Sequence, residues 1–303
     1  MSIALTGRSS KFLVAAAIPS LVLMLSACGS SSLSPSAPAG GSSTPAVVQA
    51  DPALNAKLPD KIKQAGVIQI GTDATYKPNE YMNGTTVVGM DVDLFDAVAA
   101  KLGVKTNWNP AKFDSILIGI TAAKYDIGVS SFTINSKRLQ AVTMISYANV
   151  GTQWASPAGN PKGVDKDNPC GKTIAIQTGT VQDDEIAATN KDKCASDPIN
   201  VLSYAGQDEV NNAVAIGKAD AMLADYPVTQ SAIQTSGGKL VALGDQYGAA
   251  PYGYAVTKEN QSFADAIAGA LTELKKDGTY DAILKKYGIE AASISTFEVN
   301  PKV

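Results

Sequence analysis

Histidine is missing from all 303 residues. That one absence removes Ser-His-Asp and Cys-His catalysis and every metal site built on imidazole. No GxSxG, Walker-type loop or GxGxxG run is present either. No cofactor and no metal are therefore expected. Basic residues are not in surplus: 25 Lys and Arg stand against 28 Asp and Glu, a formal charge of −3. Nucleic-acid binding demands clustered Lys and Arg, so nucleic acid is excluded as a partner. Long apolar runs are scarce. The charge-free stretch Phe12 to Leu25 is short for a bilayer and is interrupted by Pro19 and Ser20, and no second stretch is long enough to cross one. Cysteine is rare, with three residues: Cys28, Cys170 and Cys194.

The amino terminus carries an export pattern. Arg8 and Lys11 precede the apolar run, which closes on Leu25-Ser26-Ala27-Cys28. Positive charge, a short apolar core and small residues before a cut mark residues 1–27 as a signal peptide. LSAC followed by Gly29 resembles the lipobox of bacterial lipoproteins, which implies acylation of Cys28 and a membrane anchor. An ordinary secreted chain with a chance cysteine is the alternative. One acyl chain binds a membrane marginally and two or more bind it stably. Losing Arg8 and Lys11 with the leader takes 25 basic residues to 23 against 28 acidic ones, a net −5. Residues 28–56 are rich in Ser, Pro, Ala and Gly without apolar periodicity, and read as a disordered spacer reaching about 30 Å. Outside the cytoplasm the remaining thiols, Cys170 and Cys194, tend to pair, closing a short loop worth about 3 kcal/mol. Two unpaired buried thiols are the other reading.

From about residue 57, strands and helices alternate. Val67 to Ile70 is an apolar strand running into Asp73. Leu94, Phe95, Val98, Ala99 and Leu102 share one helical face, and Gly103 stops that helix. Ile116, Leu117 and Ile120 mark another helix, and Asp126 to Val129 another strand. The pattern then restarts. A strand over Lys172–Ile176 leads to a Gly179 turn and a helix from about Val181. A helix with Val210, Ala213 and Val214 follows, then a strand over Ala221–Ala224 ending at Asp225. Pro227 suits the first turn of the next helix. Tyr254–Val256 is a strand, Phe263 to Leu274 an amphipathic helix, and Asp277-Gly278 a break before a short last helix. Alternation of this kind predicts an α/β protein with a largely parallel sheet, repeated in two lobes. Open α/β sheets bind ligands beyond the carboxyl ends of their strands. Asp73, Ser130, Ser131, Thr180 and Asp225 each follow an apolar strand.

Several stretches together carry a family resemblance: IGTDATYKPNEY at Ile70–Tyr81, VGMDVDLFDAVAAKLGV at Val88–Val104, and FDSILIGITAAKYDIGVSSFTINSKR at Phe113–Arg138. ADAMLADYPV, PYGYAVTKEN and LKKDGTYDAILKKYGI follow in the same order. From about Leu58 to Ile289 the chain resembles the type II periplasmic solute-binding proteins, in the polar amino acid subgroup of ABC importers, family 3. The resemblance implies two Rossmann-like lobes closing on a central ligand cleft. Lobe 1 would be residues 57–150 plus 251–303 and lobe 2 residues 153–247, with hinges near Gly151 and Gly248. It also implies a monomer, without catalysis, delivering an amino acid to an ABC permease.

A captured amino acid is a zwitterion, and both of its charges need partners once water is excluded. Arg138 matches the family arginine that grips the α-carboxylate, and Asp225 the acid that pairs with the α-ammonium. Ser130, Ser131 and Thr133 match positions offering hydroxyls and backbone donors. Thr180, Val181 and Gln182 match a helix-opening loop whose free N–H groups favour a carboxylate. Asp73, Tyr76 and Phe113 match side-chain pocket positions, which favours a basic amino acid or glutamine. Asn79 departs from the family, standing where many relatives carry an aromatic, which implies a wider or more polar pocket. Two other functions stay open: a cyclohexadienyl dehydratase-like enzyme, with Glu80 or Asp73 as acid or base, and a ligand receptor for a signalling protein.

Overall fold

A computed structural model describes residues 48–303; the leader, Cys28 and most of the spacer lie outside the described residues. Residues 48–56, expected to belong to the spacer, are packed instead. Asp51 donates its N–H to the Lys101 carbonyl at 2.8 Å. Its carboxylate caps α1 (Pro52–Asn55), accepting from the N–H groups of Ala53 and Leu54. Leu54 is buried in the main core. Composition alone misread this stretch, because one N-cap aspartate and one leucine suffice to dock a short segment on an existing core.

The chain continues through α2 (Asp60–Ala65) into β1 (Val67–Thr72). A small antiparallel sheet follows, made of β2 (Thr75–Tyr76), β3 (Glu80–Asn83) and β4 (Thr86–Val88). Gly89 then opens α3 (Met90–Lys101). A Cβ there would stand 2.1 Å from the Asn79 carbonyl oxygen, so only glycine lets the two backbones pass. Next come β5 (Lys105–Pro110), α4 (Phe113–Thr121), β6 (Ile127–Thr133), α5 (Ser136–Ala141) and β7 (Thr143–Pro157). The pattern repeats as β8 (Thr173–Gln177), α6 (Val181–Asp192), β9 (Asn200–Tyr204), α7 (Gln207–Ala215), β10 (Ala221–Asp225) and α8 (Tyr226–Thr235). It closes with β11 (Leu240–Val256), α9 (Gln261–Lys276) and α10 (Thr279–Lys286).

Eight strands form one mixed sheet in the order β5-β1-β6-β11-β7-β10-β8-β9. The expected parallel arrangement occurs twice, in β5-β1-β6 at one end and β10-β8-β9 at the other. Between them β11 and β7 run antiparallel to each other and to the neighbouring triplet. β7 and β11, 15 and 17 residues long respectively, form a seam shared by both halves. The register of the seam shifts between Leu243 and Tyr247 and again between Tyr247 and Ala250. Gly151 and Gly248 both lie in it, so the expected crossing points fall within paired strands.

Each half buries both faces of its sheet. In the first, α3, α9 and α10 cover one face through Leu94, Phe95, Phe263, Leu271 and Leu284, while α4 covers the other through Ile116 and Ile120. In the second, Ile174, Ile176, Ile186 and Leu223 pack on one side, and Val210, Val214 and Met222 on the other. Cys170 and Cys194 are disulfide-bonded with their Cα atoms 5.1 Å apart, as expected from cysteine usage. Among the described residues no helix is long and apolar enough to cross a membrane, and no side-chain cluster could hold a metal ion.

Candidate functional site

The two parallel triplets aim the carboxyl ends of their strands at the space beside the seam. Nine of the eleven expected ligand residues line one cavity there: Tyr76, Phe113, Ser131, Thr133, Arg138, Thr180, Val181, Gln182 and Asp225. The space they enclose is about 10 Å³, room for barely one water, so the halves are shut on each other.

Arg138 comes from the first half. Asn135 caps α5 by accepting from the Arg138 N–H at 2.8 Å, which fixes where the side chain starts. Arg138 is 8 % exposed. It donates to the carbonyls of Thr133 at 2.6 Å and, across the cleft, Gly179 at 3.1 Å. It lies over the rings of Phe113 and Phe132 at 5.4 and 5.5 Å. Burial brings its pKa down to about 10, which still leaves it cationic at neutral pH.

Asp225 comes from the second half, at the end of β10, and is 5 % exposed. Its carboxylate accepts from Tyr76 at 2.8 Å, Tyr252 at 2.6 Å and Gln182 at 2.8 Å. Burial pushes its pKa up, while these donors and the Arg138 charge oppose the shift. Thr180 caps α6 by accepting from the Asp183 N–H. The first bond along α6 runs from Asp184 to the Thr180 carbonyl, so the Val181 and Gln182 N–H groups precede it.

Asp73 and Ser130 do not line this cavity. The Ser130 hydroxyl accepts from the Asp73 N–H at 2.9 Å and donates to Glu80 at 3.2 Å, supporting the floor rather than facing the opening. Asp73 lines an adjoining open pocket of about 460 Å³ with Lys112, Asp208 and Glu209. Its Oδ1 accepts twice from Thr75 and its Oδ2 accepts from Gln177 of the other half. Burial raises its pKa, with the Asp208 charge a further, smaller cause.

The expectation that Ser131 offers a backbone donor fails. Its N–H is committed to Asp91 at 3.0 Å. Its backbone has φ 48°, an uncommon left-handed geometry for a serine within a strand. Asn79 neither widens the cavity nor lines it: buried beneath Ser131, it donates to that hydroxyl at 2.9 Å. Below lie Glu80 and Asp91, both fully buried. Glu80 accepts from Ser130 and Ser131, and Asp91 from Tyr147 at 2.8 Å. Burial raises Glu80 well above the carboxylate range, with Asp91 adding repulsion, and pushes Asp91 to about 6.

Sequence reasoning missed two residues. Tyr252 stands two residues before the recognised Tyr254 on the same strand, an alternation that could have drawn attention to it. Gln177 ends an apolar strand just as Asp225 does.

The sequence pattern of the bacterial extracellular solute-binding proteins, family 3, matches residues 68–290. The arginine-binding protein ArgT of Corynebacterium glutamicum is 32 % identical over 253 residues, covering 82 % of this chain and 83 % of that one. The lysine/arginine/ornithine-binding periplasmic protein of Escherichia coli K12 is 30 % identical, covering 73 % and 86 %. An ancestral arginine-binding protein bound to arginine superposes with a TM-score of 0.69 at 30 % identity, over 74 % of this chain and 98 % of that one.

Proposed function

The chain belongs to the bacterial extracellular solute-binding proteins of family 3, and from that premise we propose that it captures a free basic amino acid and hands it to an ABC importer. Charge around the cleft is the observation that carries this reading. Arg138, Asp225 and Asp73 are all buried, and none forms an ion pair with another described residue. Of the charges placed to meet a ligand, one guanidinium set against two carboxylates leaves a net −1, while Asp91 is engaged from beneath by the Ser131 N–H and the Tyr147 hydroxyl. An α-carboxylate on Arg138, an α-ammonium on Asp225 and a cationic side chain toward Asp73 sum to +1 and neutralise it. Glutamine would leave Asp73 unpaired, and an acidic ligand would be repelled.

Capture and release would occur by relative motion of lobe 1 (57–150 plus 251–303) and lobe 2 (153–247) about the β7–β11 seam. Tyr76–Asp225, Arg138–Gly179, Gln177–Asp73 and Gln207–Thr75 are among the contacts that motion would break. Phe113 and Tyr76 would enclose the ligand stem. The protein acts as a monomer, tethered through an acylated Cys28, and meets its permease at the membrane surface. No step of chemistry is assigned to it.

A thermal-shift screen followed by calorimetry tests the binding. Arginine or lysine should raise the melting temperature, since a ligand that binds only the native state stabilises it, and glutamate should not. A response to glutamate alone would overturn the charge argument. Turnover of prephenate or arogenate would replace this reading with an enzymatic one. Labelled fatty acid should enter the wild-type chain in cells and be absent from Cys28→Ser.

A further inference from the structure

Glu80 is fully buried, lines neither the closed cavity nor the open pocket, and has no part in the ligand scheme above. None of the ion pairs among the described residues includes it. Its neighbours are two hydroxyls and a second acid. Oε1 meets the Ser130 hydroxyl and Oε2 the Ser131 hydroxyl, each at 3.2 Å, and its carboxyl group lies within hydrogen-bond reach of that of Asp91. Two ionised carboxylates have no hydrogen bond to make with each other, because both only accept. Buried side by side without a cation, they would also repel.

Protons can be counted through this cluster. Ser131 Oγ stands 3.2 Å from both Glu80 Oε2 and Asp91 Oδ2, yet a hydroxyl has one proton to give. Asn79 Nδ2 already donates to that oxygen at 2.9 Å. Asp91 Oδ2 takes the Ser131 N–H at 3.0 Å and the Tyr147 hydroxyl at 2.8 Å, while Asp91 Oδ1 is buried without a partner. The cluster is one donor short. A proton on one of the two acids supplies it and removes their repulsion. Donors favour the charged form of the acid that receives them, and Asp91 has the shorter and more numerous ones. The proton therefore belongs on Glu80.

We propose that Glu80 is a neutral carboxylic acid in the folded protein and a positioning residue for Ser131. Donors then run in one direction, from Asn79 to Ser131 to Glu80 to Asp91, and end on a single negative charge. Ser131 is held by both its hydroxyl and its N–H in the left-handed geometry, φ 48°, with which it reaches the cavity wall. The role holds for whichever ligand the cleft takes; only the binding assay below rests on the basic-ligand reading.

Infrared spectra of the ligand-free protein at neutral pH test the protonation. Wild type should show the C=O stretch of a protonated carboxyl group, and Glu80→Gln should lose it. Absence of that band, or a band that survives Glu80→Gln and vanishes in Asp91→Asn, would overturn the assignment. Calorimetry with arginine tests the positioning. Glu80→Gln, whose NH2 group donates where the O–H did, should bind as wild type does. Glu80→Met keeps the length, removes donor and acceptor, and should bind about tenfold more weakly. Equal weakening in both variants, or none in a folded Glu80→Met, would reject the role. The infrared comparison needs only the glutamine variant if the methionine one does not fold. Wild-type protein that binds no arginine would overturn the basic-ligand reading, and the infrared band would still decide the state of Glu80.

Discussion

The two ends of the sheet build the same three-layer arrangement from different material. The β5-β1-β6 end is filled with large rings: Phe95 packs edge-on against Tyr254 at 5.0 Å, and Tyr147 stacks on Tyr254 at 4.1 Å. The β10-β8-β9 end is filled mostly with aliphatic and small side chains such as Ile174, Ala175, Ala213 and Val214, with Trp154 its one fully enclosed ring among the described residues, and closes one cluster with Cys194. Small side chains bury less area each, and a smaller core gains more from a covalent cross-link. The chemistry divides the same way. The first half supplies the cation Arg138 and the aromatic faces, and the second supplies Asp225 and the open amides of α6. Among the described residues lining the cavity, the guanidinium and the carboxylate therefore come from different halves.

The sharpest test of that division is Arg138→Ala. Removing the only cation among the described residues lining the cavity should weaken amino acid binding by roughly 100-fold or more in calorimetry. The fold should survive, because the guanidinium covers only the Phe113 and Phe132 rings of a cluster held together by Ile116, Ile120, Val142 and Met144. Retained affinity would mean that one half suffices.

Cys170→Ser with Cys194→Ser tests the core comparison. Global stability should fall by about 3 kcal/mol in urea titrations. Hydrogen exchange should show the loss concentrated in β8, β9 and β10 while β1 and β6 stay protected. Equal loss at both ends would show that the halves unfold as one unit.

Buried acid gives the first half a pH dependence of its own. The folded pKa of Asp91 is raised to about 6 from an ordinary value near 3.8, because burial disfavours its charged form. The folded state therefore binds more protons than the unfolded one between these values. Stability from the neutral carboxyl is complete below about 3.8 and is lost as pH climbs through about 6. Denaturation midpoints measured across that window should fall with rising pH, and Asp91→Asn should flatten the slope. The smallest effect is expected for Thr180→Ala, which removes the α6 cap and should cost about 1 kcal/mol. Its ligand affinity should fall further than that of Asn135→Ala, the matching cap in the first half, whose side chain lies outside the cavity.

Much of this was legible in the sequence, for a physical reason. Ile68, Ile70, Ile127, Val129, Ile174, Ile176 and Leu223 belong to strands covered on both faces, which read as short apolar runs ending in a polar residue. That terminal polar residue marked Asp73 and Asp225. The edge strands were not legible. β5 (KTNWNP) and β9 (NVLSY) are half-exposed and mix polar with apolar side chains, so their pattern resembles a loop. Nor was the seam visible, since pairing between Thr143 and Val256 is set by partners more than a hundred residues apart. The departures within the site have the same origin. Whether Ser131 spends its N–H on Asp91, or Gln177 reaches Asp73, depends on contacts between segments far apart in sequence that no local pattern encodes.

Both ends of the described chain fasten to the same half. Asp51 is tied to Lys101, Val299 bridges Ile145, and Asn300 donates to the Met144 carbonyl at 2.7 Å. Everything from β8 to α8 is then an insertion hung from two neighbouring strands. Tension applied along the polypeptide from residue 48 to residue 303 would travel through the ring-filled core and bypass the disulfide-bearing half. A pull on the amino-terminal side would therefore load the first half and leave the segment from β8 to α8 unloaded.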